Sequence, residues 1–154
     1  MSTNNRNKEI VKTIQELIEI CKDGERGYKN ASDKVEHQEF KTILYRLSQQ
    51  RALFRSELEN DLIKDFGEEA KSSDSVASKL HRGWMDFKSG ISSNDDKSVL
   101  EECEKGEKHA IDKYSKALNG KLPAYLEERV QDQLNMIKGT LSQVREFESE
   151  VNHA

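Results

Sequence analysis

From Ile10 the apolar and small positions advance by alternating steps of four and three: Ile10, Ile14, Leu17, Cys21, Gly24, Tyr28, Ala31 and Val35. That spacing winds a seam along one face of an α-helix and suits packing in a bundle. A flanking stripe one heptad apart, Val11, Ile18, Glu25 and Ser32, places the Glu25 carboxylate on the core side. A second helix is predicted over about 36–64, with Phe40, Leu44, Leu47, Arg51, Phe54 and Leu58 on its seam and Ile43, Gln50 and Glu57 beside it. Polar residues thus enter the inward face near the middle of both helices.

The pattern breaks at FGEEAKSSDS, residues 66–75, whose composition marks a linker. Asp74 or Ser75 then caps a shorter helix over 75–91, carrying Val76, Leu80, Trp84, Phe87 and Ile91 on a stripe that would dock across a bundle. A third long helix begins near 95–97 and carries Val99, Leu100, Cys103, Gly106, Glu107, Ala110, Tyr114 and Ala117. Asn119-Gly120 is expected to close it with a left-handed cap. Pro123 suits the first turn of a fourth helix, through Leu126, Val130, Gln133, Ile137, Thr140, Val144, Phe147 and Val151. The pattern predicts an all-α chain forming one domain over 1–154: a hairpin (9–65), a crossover (66–95) and a second hairpin (96–152).

Composition agrees with helices, with 35% charged residues and a single proline. The net charge of -4 is dispersed, so no basic stripe is present to neutralise nucleic-acid phosphates or an anionic bilayer. No apolar run approaches the roughly 20 residues that span a membrane, and the first ten residues lack a signal-peptide core. A cytoplasmic protein with two reduced thiols is expected, with no nucleic-acid or membrane partner.

Those two thiols open an internal echo: CKDGE at 21–25 and CEKGE at 103–107. Each lies on the first helix of a hairpin, as in diverged copies about a pseudo-two-fold. The glycines fit close approach on a packed seam, at about 1 kcal/mol of lost helix propensity. Glu25 and Glu107 need another reason, since a buried carboxylate demands partners.

Two hairpins joined by a long crossover, with inward carboxylates on the first helix of each, resemble the ferritin-like four-helix bundle. More closely, CKDGERGY (21–28), LHRGWMDFK (80–88) and CEKGEKHA (103–110) resemble a small bacterial family of that fold, classed only as a domain of unknown function. The resemblance covers nearly the whole chain and implies the fold but no activity. Ferritin-like di-metal proteins place a Glu on each of two helices and Glu-x-x-His on the other two. Glu25 and Glu107 match the lone glutamates, whereas the other helices offer Gln50 with Leu53 and Gln133 with Met136. The sole Glu-x-x-His, Glu150 to His153, lies at the C-terminal fringe.

Three readings therefore stay open. Glu25, Glu107, Gln50 and Gln133 form a metal-free polar core network, with Tyr28 or Tyr114 as hydrogen-bonding company. Alternatively they hold iron or manganese as a degenerate ferritin-like oxidoreductase. Cys21 and Cys103, inward on the seam, could instead serve a thiol redox sensor, within reach of a bridge on oxidation. The first reading is taken: a ferritin-like, non-enzymatic cytoplasmic bundle without a cofactor, acting through a protein partner or self-association, with stress physiology as its setting.

Overall fold

The computed structural model describes residues 2–70 and 95–152, which form four helices: α1 (Ser2–Lys34), α2 (Gln38–Phe66), α3 (Asp96–Asn119) and α4 (Ala124–Asn152). The expected crossover helix over 75–91, with Trp84, lies outside the described residues. α1 begins earlier than its apolar seam, and residues 5–9 continue the helix with exposed side chains.

α2 and α3 are bounded for local reasons. α2 stops at Gly67, whose left-handed backbone (φ 65°) lets its N–H reach Ile63 O at 2.9 Å while Glu68 N–H reaches Leu62 O. α3 starts where the Asp95 carboxylate accepts from Ser98 N–H at 2.9 Å. It ends at Asn119, but the expected left-handed cap is absent: Gly120 is extended (φ -79°), and its N–H closes a tight last turn on Ala117 O.

The helices form a four-helix bundle. α1 and α2 make an antiparallel hairpin, as do α3 and α4; α3 lies beside α1 and α4 beside α2. The N-terminus of α3 is clasped to the α1–α2 turn, so the end of α2 and the start of α3 stand at opposite ends of the bundle. The clasp is Asp96, which accepts from Glu36 N–H (2.8 Å) and His37 N–H (3.2 Å) and pairs with His37 Nδ1 (2.6 Å). His37 caps α2 by position yet offers no side-chain cap of its own. The Asp96 carboxylate instead holds the two N–H groups just ahead of the helix, those of Glu36 and His37.

The apolar seams meet in two clusters. One gathers Ile14, Leu17, Ile18, Phe54, Leu58 and Leu126 toward the end where α2 finishes. The other gathers Tyr28, Val35, Leu44, Leu100, Val144 and Phe147 toward the α1–α2 turn, with the Phe40 and Phe147 rings 4.7 Å apart. Polar side chains occupy the level between them. No described helix is long and apolar enough to cross a membrane.

Burial opposes the Asp96 charge, but the Glu36 and His37 N–H groups and the His37 ring outweigh it and hold the carboxyl below its usual range. A lowered folded pKa contributes stability above the unfolded value of about 3.9 and loses it as pH falls through the folded value. Asp96→Ala is expected to cost about 2 kcal/mol at neutral pH. Chemical unfolding against pH should show the gap to wild type closing below about pH 4.

Candidate functional site

The antiparallel packing of α1 and α3, with Asp96 level with Glu36 and His37, brings residues 25 and 107 to one level in mid-bundle. The two glutamates do not behave alike. Glu107 is fully buried, whereas Glu25 turns to the rim, its side chain 36% exposed. The expectation of two inward carboxylates with only amides and phenols for company is corrected on both counts. Glu25 accepts from Arg55 Nη2 at 3.0 Å, and Glu107 faces Arg51.

Arg51 is the largest fully buried side chain among the described residues. Its Nη1 donates to Glu107 Oε1 at 2.7 Å and its Nη2 donates to Oε2, a fork-to-fork pair. Burial works against the guanidinium charge, and the Glu107 carboxylate more than offsets this, so the Arg51 pKa is raised. The cation also lies 5.4 Å from the Tyr28 ring centroid. Arg51 Nε donates to Gln50 Oε1 at 3.3 Å, and Thr140 reaches the same oxygen from α4.

Gly24 makes room for this pair. A Cβ at Gly24 would stand 3.1 Å from Arg51 Cγ and 3.2 Å from Nη1. The glycine of the first C-x-x-G-E stretch is therefore a notch in α1 through which the Arg51 stem passes. Arg51 already lies on the apolar seam of the second helix, so its burial is visible in the sequence. Its partner is not, because periodicity fixes a face and says nothing about level on the facing helix.

A second polar chain runs beside the first. Gln133 is buried and donates from Nε2 to Phe54 O (3.2 Å) and Glu57 (3.0 Å), which leaves its Oε1 to accept from the Tyr114 hydroxyl at 2.7 Å. With that proton committed, the Cys21 thiol donates to the Tyr114 oxygen at 3.1 Å. Tyr114, one heptad beyond Glu107 on α3, thus meets an amide and a thiol rather than that carboxylate. Burial pushes the Tyr114 hydroxyl well above its usual range.

Both cysteines are buried and free. Burial pushes Cys21 up to about 11 and Cys103 well above the usual thiol value, so neither is a ready nucleophile. Cys103 stands level with about residue 29 of α1, some eight residues or ~12 Å from Cys21 along the axis. That exceeds the ~7 Å Cα separation a disulfide tolerates, so the expected reach for a bridge is corrected.

The donor set does not fit a di-metal centre. The position between the two apolar clusters is filled by a guanidinium, which takes both oxygens of Glu107. Glu25 is engaged by Arg55, Gln133 by Tyr114, and Gln50 by Arg51. No group of three or more His, Cys, Asp or Glu side chains placed to hold a metal occurs among the described residues. Glu150 of the C-terminal Glu-x-x-His is exposed, and His153 lies outside the described residues.

The family model described as Domain of unknown function (DUF2383) matches residues 9–120. The chain belongs to that family. The match covers α1 from residue 9 and all of α2 and α3, and includes Gly24, Arg51 and Glu107. No curated protein matches the chain.

Gly24→Ala tests the notch. Alanine gains up to about 1 kcal/mol of helix propensity. Because Arg51 is pinned at both ends and cannot yield, the change is expected to destabilise the protein by about 1–2 kcal/mol net. In an Arg51→Ala, Glu107→Gln background the same change should become stabilising, and thermal denaturation reads the reversal of sign.

Proposed function

We propose that the protein is a non-catalytic four-helix bundle of ferritin-like type, in which a buried arginine–glutamate pair takes the place of a metal centre, and that it acts by associating with protein surfaces. The observation that carries this reading is Arg51. A cation of fixed charge, forked onto both oxygens of the central carboxylate, does for Glu107 what a bound metal does for a ligating carboxylate. Three of its five N–H donors are engaged by Glu107 and Gln50, and the side chain is fully buried, which leaves little room for a substrate.

Three clefts among the described residues, one of about 780 Å³ lined by Val11, Gln15 and Phe66, lie at the end of the bundle where α2 finishes, away from this centre. The C-x-x-G-E echo supports descent from a duplicated hairpin whose two halves have since diverged. A cytoplasmic location and a setting in stress physiology belong to the same proposal. The thiol-sensor alternative is disfavoured by the burial of both cysteines, and the iron or manganese alternative by the engagement of all four candidate ligands.

Elemental analysis of protein purified without chelator or affinity metal tests the reading, together with unfolding in the presence of iron(II) or manganese(II). Sub-stoichiometric metal and an unmoved unfolding midpoint are expected. A ligand held by the native state alone at 100 times its dissociation constant would add about 2.7 kcal/mol, so a midpoint rising with metal concentration would overturn the proposal.

A further inference from the structure

α2 and α4 lie side by side, with Gln133 reaching Glu57, Arg129 reaching Asp61 and Thr140 reaching Gln50. This antiparallel register puts Leu53 level with Met136. Both are exposed, at 57% and 52%. Two large apolar side chains at one level on adjacent helices are unexpected in a chain that is 35% charged. Gly139, close by on α4, has nothing within 4 Å of where a Cβ would stand, so the backbone there is open to near approach.

The charges flanking this apolar pair are sorted by helix. α2 carries Arg46 and Lys64, eighteen residues apart; α4 carries Glu128 and Glu146, also eighteen residues apart. All four are exposed, and none forms an ion pair among the described residues. In the shared register Arg46 stands level with Glu146 and Lys64 with Glu128. One edge of the face is therefore positive at two levels and the other edge negative at the same two levels.

A face of that kind is complementary to itself. We propose that it is the interface of a homodimer whose two-fold axis runs parallel to the bundle. Such an axis keeps every residue at its own level and exchanges left for right, so α2 of one protomer lies against α4 of the other. Leu53 then meets the partner's Met136, Arg46 meets the partner's Glu146, and Lys64 meets the partner's Glu128. Each contact occurs twice. The proposal rests on the reading that the bundle acts through association, and it names a second copy of the chain as the partner.

The size of the face sets the expected strength. Eighteen residues of helix span about 27 Å, and two helices side by side are about 20 Å wide. The face thus offers roughly 500 Å² per protomer, near the lower bound of about 1,000 Å² in total for a specific interface. A dimer with a dissociation constant in the micromolar range is expected, formed on raising the protein concentration.

Sedimentation of the full chain over about 1–300 μM, a range bracketing that constant, reads the equilibrium directly. Arg46→Glu and Glu146→Arg are each expected to raise the dissociation constant about tenfold or more by setting like charges against each other. Combined in one chain they restore opposite charges across the interface and should return the constant to within about threefold of wild type. Leu53→Glu should abolish the dimer while leaving the monomer's thermal midpoint unchanged, since the residue is exposed. A wild-type chain that stays monomeric at the highest concentration, or a dimer indifferent to these reversals, would overturn the proposal. Metal-dependent stabilisation would count against the reading of the centre alone, so the two failures are distinguishable.

Discussion

A guanidinium and a carboxylate facing one another in the dry middle of the bundle constrain everything around them. Removing two charges from water is costly, and their attraction offsets that cost only when the fork is complete and the remaining donors are satisfied. The local sequence follows from that requirement. Gly24 clears the path of the Arg51 stem, the Tyr28 ring lies against the cation, and Gln50 takes its Nε proton. The pair also divides the apolar core in two, so that each half packs as an aliphatic and aromatic cluster with a polar level between.

That level fixes the pairing of helices in a way apolar contact alone does not. Leucine and isoleucine seams tolerate a shift of a turn, whereas a fork-to-fork pair is lost on any shift. α2 is the helix on which the arrangement turns, since Arg51 reaches across to α3 and Arg55 holds Glu25 of α1 one turn further on. The Asp96 clasp does similar work at the turn end, and Arg129 with Asp61 does it between α2 and α4. Uncompensated carboxylates at the level of residues 25 and 107 would repel each other. Two arginines on successive turns of one helix remove that conflict.

Most of the fold was legible in the sequence because it depends on periodicity. The seams from Ile10 to Val35 and from Phe40 to Leu58 are the observed buried faces, and the start of α3 at Asp95 and Asp96 follows from capping chemistry. What was not legible depends on relations between helices. Glu25 and Glu107 occupy equivalent places in their stretches, yet one turns out to Arg55 and the other in to Arg51, which no single-helix pattern distinguishes. Tyr114 has the spacing to approach Glu107, but Gln133 of the neighbouring helix takes its proton. The close of α3 departs from the expected left-handed cap because glycine permits that conformation without requiring it.

The most direct test of the central claim is a double-mutant cycle on Arg51 and Glu107, read by equilibrium chemical unfolding of wild type, Arg51→Met, Glu107→Leu and the combined variant. Each single change strands a buried charge and is predicted to cost about 3–5 kcal/mol, while the combined change removes both charges and should lie close to wild type, as apolar replacement of buried pairs does. Single changes that cost little, or a combined cost equal to the sum of the two, would contradict the account.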